Sequence, residues 1–539
     1  MISYKGALVI PTSTPDKITQ HIPTAKTISY AGKIFVAVKH CVDHVRILWN
    51  LGVKTAPSPM NFDGFVYPGP PKGTPKHFTP YKHQKETAEF LVMHKRAFCF
   101  DDMGCGKTAA SISAAEYLIQ RGEIDRVIVI SPISTMRKTW SNELQWLVPH
   151  RQAAIIRGSD TKCQQMLEDD RNVWLIVNHD FTAKKSKWFK ESLKKLSGDR
   201  TLYIYDEFTA VKTTTSNRFK VTEEVTNGCR LWGLTGTPMP NSPEDAYGQG
   251  RLICPDLLPP SIALFRMKVM RQNKIYVKDK RGGASERIVW LPRKNSYEAV
   301  YGMLQPAIRH LKSECIDMPP LTYVNKEAPL TKGQQKVYDD IKEHLIAQAD
   351  GETISARHAA TKLLKLLQIS QGAIKDDEGD TVNLDISSRL NLMLEIIQGT
   401  ENNVIVFAPF VAPLNTIMEF LEKKKIPCGI VKGGVSEKAR SKIFDQFTNK
   451  EIKVLVAHPK TCGHGLNLIE ADTTIWFGPT FDAEIYTQAN NRMNRPGQTN
   501  KMTIVHMAAT DLEWAVYDKL QSKLKGQDAL LELYRKFVR

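Results

Sequence analysis

Short apolar runs recur along the chain with room for one helix between each pair. "RAFCF" (96–100), "RVIVI" (126–130), "VWLIV" (173–177), "TLYIY" (201–205) and "RLWGL" (230–234) form a first series. Runs apolar on both faces that alternate with helical stretches predict a parallel sheet covered on both sides. A second series begins at "VIVF" (404–407) and continues through "KVLVA" (453–457) and "TTIWF" (473–477). The pattern predicts an α/β chain with two tandem parallel-sheet lobes, over 81–255 and 389–510. Between them 256–388 reads as a basic, mostly helical insertion, and 511–539 as a C-terminal helical brace. Ahead of both lobes, "KIFVAVKH" reads as a strand and "VDHVRILWNLG" as a helix, so 1–67 is a small α+β accessory module. Five prolines in "PGPPKGTPKHFTP" mark 68–80 as a linker.

Composition adds compartment and partner. No stretch reaches the roughly 18 apolar residues of a membrane span. Nine cysteines lie scattered with no C-x-x-C pair, which argues against structural zinc and for reduced thiols. A soluble monomer is expected, cytoplasmic, or nuclear if the source is eukaryotic. Lys and Arg number 74 against 57 Asp and Glu, a net charge of +17. Such a surplus favours a polyanionic partner. It is unevenly spread: residues 1–80 hold nine Lys or Arg and three Asp, hence +6. "RMKVMRQNKIYVKDKRGG" (266–283) holds seven Lys or Arg and one Asp, and its tail reads as a hairpin with a Lys-Arg-Gly-Gly turn.

Candidate chemistry begins at "DDMGCGKTAAS" (101–111), which follows the strand "RAFCF" and opens a helix. Glycines at 104 and 106 let backbone N–H groups converge on an anion, and the helix N-terminus adds positive potential. In that context Gly104, Cys105, Gly106, Lys107 and Thr108 predict a phosphate loop. Lys107 would reach the β- and γ-phosphates of ATP or GTP, and Thr108 would hold Mg2+. The strict pattern wants Gly at 101 and finds Asp101, followed by Asp102, so the loop is a variant. Cys105 stands at a helix N-terminus beside a cation, and both favour a thiolate; a small apolar filler is the other reading. Asp206 and Glu207 end the strand "TLYIY", at the carboxyl edge where open α/β sheets build their sites. Hydrolysis of ATP needs one carboxylate at the metal and another group on water, and these fall to Asp206 and Glu207 respectively. "LWGLTGTPMPN" (231–241) repeats the strand-then-turn design with Thr235, Gly236 and Thr237.

In order and spacing, "HQKETAEFL", "DDMGCGKT", "ISPISTMRKTW", "VNHDF", "YDEFTAVK" and "LTGTPMPN" resemble superfamily 2 helicases, and among them the Swi/Snf-type DNA translocases. "TCGHGLNL" (461–468) and "QANNRMNRPGQ" (488–498) close the match, and an acidic pair before M-G-x-G-K-T is usual in that family. The resemblance implies two RecA-like lobes that close on ATP and Mg2+. It assigns Gln84 to the adenine edge, Gly465 to the segment coupling DNA to ATP, and Arg492 and Arg495 to the transition-state phosphoryl charge. Three apart, those arginines would share one helix face. Three positions depart from the family: Thr209 stands for the His of D-E-x-H, Asn494 for the His between the arginines, and "FDA" (481–483) for W-N-P.

The resemblance further implies an ATP-driven double-stranded DNA translocase that remodels, anneals or clears DNA. Its partner would be double-stranded or branched DNA, bound without sequence specificity. Candidate contacts are Ser131, Asn178, Thr461 and, in the basic insertion, Arg271, Lys274, Lys280 and Arg281. A strand-separating DNA or RNA helicase and a nucleotide-gated DNA clamp with little turnover are the alternatives.

Overall fold

The computed structural model describes residues 2–4, 6–57, 60–70, 77–183, 187–278, 284–351, 356–375, 381–462 and 468–522. At the N-terminus β1 (Ile2–Tyr4), β2 (Ala7–Pro11), β3 (Lys26–Tyr30) and β4 (Lys33–Lys39) form an antiparallel sheet in the order β1-β2-β4-β3. Alternation along β2 and β4 turns Leu8, Ile10, Val36 and Val38 to one buried face. The helix Val42–Asn50 adds Val42, Val45 and Leu48. These side chains close no core of their own. They join one apolar cluster with Leu91, Ile112, Ala115 and Leu118, from the two helices flanking the phosphate loop. Arg46 pairs with Glu123 at 3.0 Å, and the Tyr117 hydroxyl donates to Asp63 at 2.7 Å. The expected separate module at 1–67 is therefore an outer layer of the first lobe, because its apolar face is covered only there.

The first lobe carries β5 (Arg96–Cys99), β6 (Arg126–Ser131), β7 (Ala153–Ile155), β8 (Trp174–Asn178), β9 (Thr201–Asp206) and β10 (Arg230–Leu234). A hairpin of β11 (Met270–Lys278) and β12 (Ala284–Pro292) follows, and then the two-residue β13 (Ala307–Ile308). The sheet runs β13-β5-β10-β9-β6-β8-β7, parallel throughout. Cys99 of β5, Leu234 of β10 and Asp206 of β9 stand side by side in register, so three loops leave the sheet at one level.

The second lobe takes β14 (Leu321–Glu327), a hairpin of β15 (Ala373–Lys375) and β16 (Thr381–Asn383), then β17 (Asn403–Phe407), β18 (Cys428–Val431), β19 (Val454–Ala457), β20 (Ala471–Trp476) and β21 (Met502–Ala508). Its sheet runs β14-β21-β20-β17-β19-β18, again parallel. The stretch 256–388 is thus not one insertion. Phe265, Val269, Val300 and Leu304 lie in the core of lobe one, and β13 extends that lobe's sheet. β14 extends the sheet of lobe two, and Leu367 enters its core. A two-residue strand and a strand exposed along most of its length carry no apolar run long enough to be noticed in the sequence. Tyr517 and Leu520 also pack into lobe two, where Arg389 and Glu513 form a buried ion pair at 2.8 Å. Among the described residues no helix is long and apolar enough to cross a membrane.

Because the N-terminal layer shares its core with lobe one, Leu48→Ala should destabilise both together by about 2–5 kcal/mol. A single thermal transition that shifts as a whole is expected by calorimetry. A small early transition with lobe one unmoved would mean two independent units.

Candidate functional site

The phosphate loop leaves β5 and turns twice through left-handed backbone, at Gly104 (φ 94°) and Gly106 (φ 77°), before the helix Lys107–Gln120. Both positions are crowded as well as twisted. A Cβ on Gly106 would come within 2.0 Å of the Gln84 amide, and one on Gly104 within 3.2 Å of Pro496. Gln84 is spent on the loop here, accepting from Tyr81 N–H at 3.0 Å and facing the Cys105 carbonyl at 3.4 Å. The Lys107 ammonium donates to the carbonyls of Asp101 and Asp102 at 2.8 and 3.2 Å. Thr108, half-buried, follows in the first turn of the helix.

The two acids before the glycines have different work. Asp101 is buried, and its Oδ2 accepts from Thr87 at 2.7 Å while Oδ1 accepts from the His310 backbone N–H at 2.8 Å. Burial pushes this carboxyl up, but His310, Thr87 and the Lys107 charge outweigh it and hold it at about 2. Asp102 pairs with Arg309 at 2.6 Å and accepts from Lys312 N–H at 3.0 Å. The pair braces the loop from the chain that follows β13.

At the end of β9, Asp206 Oδ2 accepts from Trp140 Nε1 at 3.0 Å and Oδ1 from Glu207 N–H at 3.2 Å. Glu207 holds φ 53°, a left-handed conformation that costs a β-carbon-bearing residue energy and breaks the strand at this point. Between these strands the turn after β10 packs against the phosphate loop: Thr235 N–H donates to Cys99 at 3.0 Å, and a Cβ on Gly236 would sit 3.4 Å from the Asp101 carbonyl. Thr108 and Asp206 offer hydroxyl and carboxylate oxygens, the hard donors that suit Mg2+.

Lobe two supplies the arginines. Its helix Ala483–Asn490 ends before both of them, so they sit in turns and not on one helix face. Arg492 is 2% exposed, and its Nε donates to Gln488 of its own turn at 2.9 Å. Arg495 lies in the field of Glu143 and Glu207, which partly offset the downward pull of burial on its guanidinium. Arg495 is therefore close enough to feel the carboxylates of lobe one. Glu143, absent from the sequence reading, has its carboxyl pushed up to about 7 by burial and by Asp206. It gave no signal beyond its place after "STMRKTW".

An interlobe cleft of about 1070 Å³ opens beside Glu207. Arg137, Lys138, Arg157 and Lys212 of lobe one and Arg440 and Lys460 of lobe two line it. Lys138 also stands over the Phe444 ring at 5.2 Å, across the cleft. Of the expected DNA contacts Thr461 lines this cleft, although its hydroxyl donates to its own lobe, to Val431 at 2.9 Å. Asn178 accepts from Asp180 N–H at 2.7 Å and caps the next helix. Ser131, at the end of β6, is 0% exposed, so its hydroxyl is not open to solvent in this conformation. Arg271 and Lys274 are exposed on β11, away from this lining, while Lys280, Arg281 and Gly465 lie outside the described residues.

A model of the SNF2-related domain matches residues 83–378, and one of the helicase conserved C-terminal domain matches 388–497. The chain belongs to the SNF2-related family. It is similar to a protein of Acyrthosiphon pisum secondary endosymbiont phage 1, with 25% identity over 86% of this chain and 100% of the relative. It is also similar to chromodomain-helicase-DNA-binding protein 1-like of Danio rerio, 24% identical over 85% of this chain. An uncharacterized ATP-dependent helicase of Mycoplasma genitalium is 24% identical over 79%. The chain spans only 44% and 40% of those last two relatives. A solved Sulfolobus solfataricus SWI2/SNF2 ATPase core in complex with dsDNA aligns at 22% identity and a TM-score of 0.39, over 85% of this chain and 95% of that one. The SNF2-related and helicase domains make the chain a helicase-like enzyme of a DNA-dependent ATPase family.

One departure from the family pattern has a structural use. Thr209 donates across the cleft to Glu484 Oε1 at 2.9 Å, a direct bond between the lobes. Burial, and then the nearby Glu207 charge, push the Glu484 carboxyl up to about 7. Cys105 departs from the thiolate expectation. It is 1% exposed, and burial and the Asp101 charge push its thiol up to about 12 against the pull of Lys107. It is the small buried filler, and maleimide should not touch it until the protein unfolds.

The raised Glu484 carboxyl makes closure sensitive to pH. Closing binds a proton there between its ordinary 4.5 and about 7, so the Glu484 contribution to closure is fully present below that window, weakens through it, and is lost above it. Glu484→Gln keeps an acceptor for Thr209 without the charge and should flatten the pH profile of an interlobe fluorescence-transfer signal. A profile unchanged in that variant would pass the effect to Glu143.

Proposed function

We propose that this SNF2-related protein is an ATP-driven translocase on double-stranded DNA, gripping backbone phosphates without reading sequence. One observation supports this reading above the others: cations from both lobes and Glu207 share the lining of a single cleft. A polyanion lying there touches both lobes at once. A change of lobe spacing driven at the ATP site then becomes a displacement along the strand.

In this reading Lys107 and the N–H groups around Gly104 and Gly106 hold the phosphates. Thr108 and Asp206 hold Mg2+, which when bound neutralises charge growing on the phosphoryl oxygens. Glu207 orients the attacking water and takes its proton. Arg495 comes from the other lobe and meets transition-state charge only when the cleft closes, a contribution of roughly 10³–10⁵ in rate for such arginines. DNA that draws the lobes together therefore accelerates turnover.

Steady-state ATP hydrolysis with duplex DNA, single-stranded DNA and RNA in parallel tests the reading. Duplex DNA should stimulate most. Glu207→Gln should retain ATP and lose about 10²–10⁴ in turnover. Lys107→Ala should stop hydrolysis while keeping duplex binding, because it removes a phosphate contact of ATP and none of DNA. Stimulation by single strands or RNA alone would indicate a strand-separating helicase. ATP-gated binding without turnover would indicate a clamp.

A further inference from the structure

The chain leaving β13 is fastened to the phosphate loop residue by residue. Arg309 donates to the Phe100 carbonyl and pairs with Asp102. His310 lies with Nδ1 3.0 Å from Asp101 and Nε2 3.1 Å from Glu86. Lys312 N–H is held by Asp102 at 3.0 Å. The Lys312 side chain then leaves lobe one. Its stem passes 3.6 Å from the point where a Cβ on Gly104 would lie, and its ammonium donates to the Asn494 carbonyl at 2.7 Å and to Asn491 Oδ1 at 3.3 Å. Asn491 turns its amide nitrogen back to Met103 Sδ at 3.7 Å, and Pro496 rests on Gly104. The turn that carries Arg495 thus meets the phosphate loop at two points, Met103 and Gly104, and Lys312 at two more, which are the charged ones.

We propose that Lys312 is a positioning residue for Arg495, seating the arginine-bearing turn on the phosphate loop when the cleft closes. A buried ammonium is costly unless its donors are filled. At 8% exposed, Lys312 finds acceptors for its ammonium in lobe two, so opening the cleft forfeits two charge-assisted hydrogen bonds. The stronger acceptor is a backbone carbonyl, which any residue at position 494 provides. The family departure at Asn494 therefore leaves this contact intact. Burial, with the repulsion of Arg495 and Lys107, brings the ammonium down to about 8 despite the attraction of Asp102. The surroundings taken together thus disfavour the charge, and the two hydrogen bonds from lobe two are what hold the cation there.

The inference rests on the reading that Arg495 acts in ATP hydrolysis, and the experiment separates the two. ATP turnover of the full chain at saturating duplex DNA is measured for wild type, Lys312→Met, Lys312→Arg, Arg495→Ala and the Lys312→Met/Arg495→Ala double variant. Lys312→Met should lower kcat about 10-fold with KM for ATP within about twofold, the mark of an interaction made in the transition state. Lys312→Arg should recover most of the rate. On the Arg495→Ala background Lys312→Met should cost nothing further, since residues acting through one contact are not additive. Asn491→Ala, which removes one acceptor and leaves Lys312 in place, should give a smaller loss of the same kind and answers the concern that Lys312→Met misfolds. Wild-type turnover in Lys312→Met, a rise in KM alone, or losses that multiply in the double variant would each overturn the proposal. Full activity in Arg495→Ala would instead overturn the reading beneath it.

Discussion

A carboxylate shut off from water stands at the end of the strand that carries the phosphate loop. Asp101 can remain charged there because a threonine hydroxyl, a backbone N–H, an imidazole and the Lys107 ammonium surround it. Its partners come from the helix before β5 and from a segment 209 residues later in the chain. Removing any one would leave the buried charge less fully compensated, which ties the loop, the helix and the segment after β13 together. That tie fixes the floor of the nucleotide site.

From this floor the second lobe is reached in one step. The segment held by Asp101 and Asp102 continues through Lys312 to the turn that bears Arg495, and β14 then enters the other sheet. The chain crosses between lobes beside the proposed ATP site. A second contact, Thr209 with Glu484, closes the cleft on the far side of Glu207. Two half-buried acids of raised affinity for protons lie in the same neighbourhood, Glu484 in the field of Glu207 and Glu143 in that of Asp206. Closure therefore gathers like charges around one arginine, which makes the closed state dependent on what fills the site.

The parts of the site that were legible in the sequence are those built by neighbours in the chain. Lys107, Thr108, Asp206 and Glu207 follow strands whose apolar runs are unmistakable, and β-strand register places their loops at one level. The arginines were legible as residues but not as geometry. Spacing of three suggests a shared helix face, yet the helix stops at Asn490 and Arg495 lies in the field of Glu207. Glu143, Lys312 and the cleft cations of lobe two were not legible at all, since each is an ordinary charged residue until another lobe packs against it.

By itself the sequence determined the two parallel sheets, the main strands that build them and the glycine-rich turn after the first, because hydrophobic period and glycine placement act over a few residues. Tertiary structure alone decided that the N-terminal residues are a layer of lobe one, that the middle of the chain is divided between both lobes, and that Cys105 is a buried thiol. It alone set Lys312 against the arginine turn and Thr209 against Glu484. Those outcomes depend on which surfaces are covered and which charges lose water, and burial is a property of the folded whole that no local pattern of residues records.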